Sequence, residues 1–273
     1  EWRIFAMKNI LVCIKQVPDT TEIRIDPVKK TLIREGVPSI VNPFDAYALE
    51  LAARIKDKEP GTKITLVSMG PPQAENALRE CLAVGGDKAY LVSGREFGGS
   101  DTLATSYILS CAIKKLEELE GKFDIIFCGK QAIDGDTAQV GPQISEHLDI
   151  PVISYAQDIK VEGDSVIVQR QFEDRYHVLK AKMPCLITAL SELNEPRYMT
   201  PGGIFDACDA EITTWGRADL TTLDDANIGL KGSPTKIAKA SDKVRKGAGE
   251  KVTLDPEEAV SYLMGKLTEK HII

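Results

Sequence analysis

Apolar residues cluster in four nearly unbroken runs in the first half of the chain: NILVCIK (Asn9–Lys15), KITLVSMGPP (Lys63–Pro72), KAYLVS (Lys88–Ser93) and FDIIFC (Phe123–Cys128). Between them the pattern turns helical. In NPFDAYALELAARIK, Asp45 is placed to cap a helix whose Ala46, Leu49, Ala53 and Ile55 share one face. QAENALRECLAVGG turns Ala74, Ala77, Leu78, Cys81 and Leu82 inward and closes at Gly85. DTLATSYILSCAIKKLEELEG opens on Asp101 or Thr102 and ends at Gly121. Strands that are apolar along their whole length are buried on both faces, which calls for parallel pairing with helices above and below. Residues up to about Asp149 are therefore expected to form a doubly wound α/β unit.

After Asp149 the pattern changes. AQDIKVEGDSVIVQRQF predicts a hairpin turned at Glu162–Asp164, with Val166 and Val168 on one face. RYHVLKAKMPCLITAL adds two strands, so this half is expected to be mostly antiparallel and to extend the same sheet. The stretch after Leu190 has little periodicity. Residues Asn227–Lys251 are rich in Lys, Gly and Ser and read as an extended arm, giving a division into an α/β domain over 7–226 and an arm with a terminal helix over 227–273. That helix, in LDPEEAVSYLMGKLTEK, is signalled by Asp255 as N-cap, Pro256 in the first turn and Lys266 and Lys270 near its end. It either grips another subunit or folds back on its own domain.

Composition narrows the chemistry. The 273 residues are 27% charged and 43% hydrophobic, the mix of a globular protein with a real core. A formal net charge of −7 argues against nucleic acid as a partner, and no apolar run is long enough for a membrane span. The segment EWRIFA is too short, and its Glu1 wrong in sign, for a signal peptide, so the natural start is expected at Met7. Six scattered cysteines without a C-x-x-C pair fit a reduced, cytoplasmic setting, and three histidines leave little for a zinc or iron site.

One segment carries the candidate chemistry. GKQAIDGDTAQVGPQ (Gly129–Gln143) leaves the fourth apolar run and enters a helix. A calcium loop starting at Asp134 would need an oxygen ligand, a glycine and a glutamate where the chain has Ala138, Gln139 and Ser145. A phosphate fits better: Pro142 is tolerated only in a first turn, so the helix is expected to start between Thr137 and Gly141, leaving the amides of Ala138, Gln139 and Val140 free. Gly135 and Gly141 would let a ligand approach the backbone, while Asp134 and Asp136 would cap the helix or reach a ribose hydroxyl. An ordinary strand-to-helix turn is the alternative. There is no G-x-G-x-x-G after the first strand, no P-loop signature and no Ser/Cys–His constellation, which favours a protein that holds a nucleotide without attacking it.

LVCIKQVPDT, VNPFDAYALE, LVSMGPPQ, GKQAIDGDTAQVGPQ and LNEPRYMTP occur in the order found in β subunits of electron transfer flavoproteins, which the chain resembles from about Met7 to its end. The resemblance implies an α/β fold like that of adenine-nucleotide α-hydrolases, an adenine nucleotide at the carboxyl edge of the sheet and an α-subunit partner carrying FAD. Carried over residue by residue, it implies cofactor contacts at Cys13, at Asn42, Pro43, Phe44 and Asp45, at Met69, and along Gly129, Lys130, Gln131, Ala132, Ile133, Asp134, Gly135, Asp136, Thr137, Ala138, Gln139 and Val140. Each has a plainer alternative: Cys13 and Met69 as core residues, Asn42–Asp45 as a helix start. Phe44 stands where many members have an aspartate or other polar residue.

The D-G-D-T-A-Q-V-G-P stretch resembles the electron-bifurcating group, in which the β subunit binds FAD and not the AMP of ordinary members. The small Gly135 leaves room for a pyrophosphate, and REGVPSIVNP resembles the segment beside the flavin ring and its NADH donor. The resemblance further implies an electron carrier that oxidises NADH only within the αβ complex. Its partners would be an acyl-CoA dehydrogenase or enoyl-CoA reductase and a ferredoxin or flavodoxin. Residues Glu195–Ala207 (EPRYMTPGGIFDA) resemble the loop that docks an acyl-CoA dehydrogenase, against the alternative of a plain Pro/Gly turn.

Overall fold

A computed structural model describes residues 8–19, 38–236, 238, 247 and 249–273. In chain order the elements are β1 (Asn9–Ile14), β2 (Gln16–Pro18), β3 (Ser39–Val41), α1 (Pro43–Lys58), β4 (Lys63–Met69), α2 (Glu75–Val84), β5 (Lys88–Val92), α3 (Thr102–Glu120), β6 (Ile125–Gly129), α4 (Val140–Leu148), β7 (Val152–Glu162), β8 (Ser165–Gln171), β9 (Tyr176–Lys182), β10 (Cys185–Ala189), α5 (Pro201–Asp209), β11 (Ile212–Trp215) and α6 (Pro256–Glu269). Residues before Lys8, the excursion between β2 and β3, the first part of REGVPSIVNP and most of the lysine-rich stretch after Ala238 lie outside the described residues.

Nine strands form one sheet in the order β11-β5-β4-β1-β6-β10-β7-β8-β9. The seven from β11 to β7 are parallel; β8 and β9 continue the sheet antiparallel. The α/β class with an antiparallel extension is therefore borne out. Along β1 the alternation divides the core: Ile10, Val12 and Ile14 face α1 and α2, while Leu11 faces α3 and α4. Helix ends follow the chemistry expected of them. Asp101 accepts the Ala104 amide at 3.0 Å to start α3, and Gly121, with φ 88°, ends it. Gly85 closes α2.

Two expectations need correction. The last of the strands read in Arg175–Leu190, β10, is not antiparallel: it lies between β6 and β7 and is parallel to both. Its residues are all buried (CLITA), the signature of an interior parallel strand. The aperiodic stretch after Leu190 holds α5 and β11. Thr200 caps α5 by accepting the Gly203 amide at 3.0 Å, and a Cβ at Gly203 would run into the Ala83 carbonyl of α2, so that one glycine, which weakens the helical pattern, allows the contact. β11 is four residues long and pairs with β5; its Trp215 stacks on Tyr90, ring centroids 4.9 Å apart, with the Lys115 ammonium 4.5 Å from its ring.

The chain divides into compact units at Ala238/Lys239. Within the first, Ile228 is buried in the core and Ser233 Oγ accepts the Asp101 amide at 2.8 Å. The second contains α6, which starts after Asp255 and leaves Val260, Leu263 and Met264 exposed. No helix among the described residues is long and apolar enough to cross a membrane. Phe127 is fully buried and Phe205 is 74% exposed. Phe127→Ala is therefore expected to lower unfolding stability by about 3–5 kcal/mol in denaturant titration, and Phe205→Ala to change it by less than about 0.5 kcal/mol; equal effects would contradict this core.

Candidate functional site

Order reverses at β1. The chain leaves it toward β4 and β5 on one side and returns to β6 on the other, opening a crevice beyond the carboxyl ends of β1 and β6, where open α/β sheets bind ligands. Cys13 and Gly129 lie at those two ends, and Met69 ends β4 beside them. Cys13 is partly exposed and packs on the α3–α4 core, so core packing describes it as well as ligand contact does. Its thiol, together with burial, holds the neighbouring Cys128 thiol well above the usual range.

The N-terminus of α1 is inserted at this point. Asn42 donates its backbone amide to the Lys15 carbonyl at 2.8 Å. Its side chain grips the loop twice, donating Nδ2 to the Gln131 carbonyl at 2.8 Å and accepting the Ile133 amide at 3.2 Å. Pro43 occupies the first helical turn. Asp45 does not cap its own helix, contrary to expectation: its carboxylate accepts the Lys15 amide at 2.7 Å and the Gly129 amide at 3.1 Å, joining the ends of β1 and β6. Burial pushes the Asp45 carboxyl up to about 7; Asn42, the two amides and the charge of Lys15 oppose that rise. Gly129 is required here, because a Cβ would meet Asp45 and lie 2.6 Å from the Phe44 carbonyl carbon.

Along the loop both acids are already engaged. Asp134, nearly buried, pairs with Lys15 at 2.6 Å, and Asp136 accepts from Gln131 Nε2 at 2.7 Å. Neither caps α4, so the cap expectation fails; Gln139 is the N-cap residue, and its side chain accepts from Thr102 Oγ1 at 3.0 Å. The helix begins at Val140, inside the expected window. No acceptor among the described residues takes the amides of Ala138, Gln139 or Val140. An anion at the head of α4 would meet three free donors and the positive end of the helix, while the Asp134 charge is answered by Lys15.

The glycines divide differently from the expectation. Left-handed backbone falls on Asp136 (φ 51°) and Ala138 (φ 52°), not on Gly135. A Cβ at Gly135 would point into open space, whereas at Gly141 it would lie 2.9 Å from Thr188 Cγ2. Gly141 thus serves helix-on-sheet packing and Gly135 leaves the mouth of the loop open.

Sequence reasoning missed three contributors. Lys15 lies within LVCIKQVPDT, which gives it no role; only the fold sets it opposite Asp134. Tyr155 lies on β7, far from the loop in sequence, yet its ring centroid is 5.6 Å from the Lys130 ammonium, which also lies 5.9 Å from the Phe44 ring. Arg197 anchors the Glu195–Ala207 segment: its guanidinium reaches buried Glu50 at 2.8 Å and Asp57 at 2.7 Å, and Arg54 reaches Glu50 at 2.6 Å. Burial would raise the Glu50 carboxyl, but the two arginines hold it below its usual value. Beyond this anchor Tyr198 is 94% exposed, with Met199, Ile204 and Phe205 also exposed. A cavity of about 610 Å³ lies behind them, lined by Gln16, Asn76, Glu80, Met199, Ile204 and Cys208, and does not reach the glycine loop.

Among the described residues no cluster of His, Cys, Asp and Glu is arranged to hold a metal ion. Asp45→Ala would leave two strand-end amides unsatisfied and is expected to cost about 2–4 kcal/mol of stability. The raised carboxyl also fixes a sign. Its proton uptake on folding stabilises fully below the unfolded value of 3.8, and that contribution is lost as pH rises through about 7. The stability difference between wild type and Asp45→Asn should therefore shrink from pH 4 to pH 8; a pH-independent difference would show that Asp45 does not titrate there.

The electron transfer flavoprotein domain family matches residues 29–225. An electron transfer flavoprotein subunit beta from Clostridium acetobutylicum is 55% identical over 265 residues, covering 97% of this chain and 100% of its own. The caffeyl-CoA reductase-Etf complex subunit CarD of Acetobacterium woodii is 53% identical, with coverage of 97% and 100%. The acryloyl-CoA reductase electron transfer subunit gamma of Anaerotignum propionicum is 47% identical, again over 97% of this chain and 100% of its own. Matched by that family model and by relatives covered over their full length, the chain belongs to the electron transfer flavoprotein family, as a β subunit.

Proposed function

We propose that the chain is the FAD-holding β subunit of an electron-bifurcating electron transfer flavoprotein, working as a heterodimer with an α subunit. The observation that carries this reading is the loop itself: three free amides at the head of α4, an adjacent Asp134 neutralised by Lys15, and an open face at Gly135. A pyrophosphate needs length as well as donors, and a side chain at Gly135 would narrow the mouth through which the rest of the cofactor extends.

Bound there, the flavin would supply the redox chemistry, between NADH as donor and a high-potential and a low-potential acceptor, the latter a ferredoxin or flavodoxin. The chain's own residues bind and orient. Ala138, Gln139 and Val140 donate to phosphate oxygens; Asn42 and Asp45 hold the loop to the strand ends; Cys13 and Met69 line the crevice wall. No side chain is needed to move a proton, in keeping with a site that presents donors and no acid–base pair.

Two relatives are named as parts of reductases of CoA esters, which supports a partner of the acyl-CoA dehydrogenase or enoyl-CoA reductase kind. The anchored segment with exposed Tyr198 and Phe205 is the surface we assign to it. We assign α6 to the α subunit, because its Val260, Leu263 and Met264 are exposed.

Cofactor release from the co-purified αβ complex tests the reading. Two FAD and no AMP per heterodimer, with reduction by NADH, are expected. One FAD and one AMP would make this chain an AMP holder in an ordinary carrier. Gly135→Glu is expected to lower FAD occupancy of this subunit about tenfold while sparing AMP binding; unchanged FAD content and NADH oxidation would remove Gly135 from the account.

A further inference from the structure

β7 and β10 run in register at Val152↔Leu186 and Ile153↔Ile187, then slip, resuming at Ala156↔Ala189. The extra residue falls in β7 beside Tyr155, which adopts φ 58° and donates its amide to Thr188 Oγ1 at 3.0 Å. Asparagine or glycine takes this conformation readily; tyrosine does so only when its surroundings enforce it. Bulges beside functional sites commonly re-aim a side chain, and here the ring is set by the Lys130 ammonium.

Lys130 is the first residue beyond Gly129, and its backbone amide is fixed by the Ala189 carbonyl at 2.8 Å. Its ammonium lies within 6 Å of two ring centroids, Tyr155 and Phe44, the range of a cation–π contact. Arg170 also lies on the Tyr155 ring, at 5.7 Å, while its Nε bonds Ser154 Oγ at 3.2 Å. Glu192 is the nearby carboxylate that senses the Lys130 charge, though Ser191 is its main partner. A lysine on an open loop samples many rotamers; between two rings it keeps few. Phe44, the aromatic residue that departs from the polar one expected at that position, supplies one of those rings.

We propose that Tyr155 is a positioning residue for a bound nucleotide: with Phe44 it holds the Lys130 ammonium at the start of the Gly129–Val140 loop, where it adds a charged donor for the phosphate to the amides at the loop's other end. The proposal rests on the nucleotide reading above.

The test measures binding of AMP and of adenosine to the nucleotide-depleted αβ complex. Tyr155→Gly removes the ring while accommodating the backbone conformation. It is expected to weaken AMP about tenfold, the scale of one charge-assisted hydrogen bond, and to leave adenosine unchanged. Lys130→Met should do the same, and the double variant should be no worse than Lys130→Met alone. Tyr155→Phe, which keeps the ring face, should bind AMP as wild type does. A parallel loss of AMP and adenosine in Tyr155→Gly, additive losses in the double variant, or no loss at all would each overturn the proposal. Wild-type complex that binds AMP no better than adenosine would overturn the nucleotide reading together with it, an outcome distinct from the other three.

Discussion

A single buried carboxylate lies where the two halves of the parallel sheet diverge. Asp45 accepts one amide from the end of β1 and one from the end of β6, and it sits on the first turn of α1, the helix that leaves toward β4. Two strand ends with unpaired donors would otherwise open onto solvent beside a dry core. The clamp satisfies both, brings α1 close enough to forbid a side chain at Gly129, and costs the carboxylate its hydration, which is why its proton is held so tightly.

The rest of the crevice follows from that fixed corner. Once α1 is seated, Asn42 reaches the backbone of Gln131 and Ile133, so the first half of the loop is held by side chains on another element. The second half carries its own constraints: left-handed Asp136 and Ala138, the Gln131–Asp136 bond and the Lys15–Asp134 ion pair. Together they leave three amides at the start of α4 without acceptors among the described residues. Donors held in place beside a neutralised acid leave little ordering to oppose the binding of an anion, which supports the proposed site.

A second fixed point governs the far surface. Glu50, buried on α1, receives Arg54 from its own helix and Arg197 from the segment after β10. Removing two charges from water is unfavourable unless the bonds are well made, and here the carboxylate also accepts the Arg197 amide at 3.1 Å. The same helix therefore holds the Gly129–Gln143 loop at its first turn and the base of the exposed Tyr198–Phe205 surface further along.

Much of this was legible in the chain alone. Unbroken apolar runs specify interior parallel strands, helical periodicity specifies α1 to α3, with glycine stops for α2 and α3, and Gly129–Gln143 marks its own position after a buried strand, because all of these depend on neighbours within a few residues. What depended on distant residues was not legible. β10 entered the parallel sheet, although its sequence neighbours are antiparallel, since burial on both faces outweighs adjacency in the chain. Asp45 carries a capping signature but spends its oxygens on strands instead. Of the two glycines expected to let a ligand approach, Gly141 packs against Thr188, while Gly135 faces open space. Lys15 and Tyr155 acquire their roles only when separate strand ends are brought to one edge. Local pattern determined which elements form; long-range packing decided which polar groups were left free at their ends.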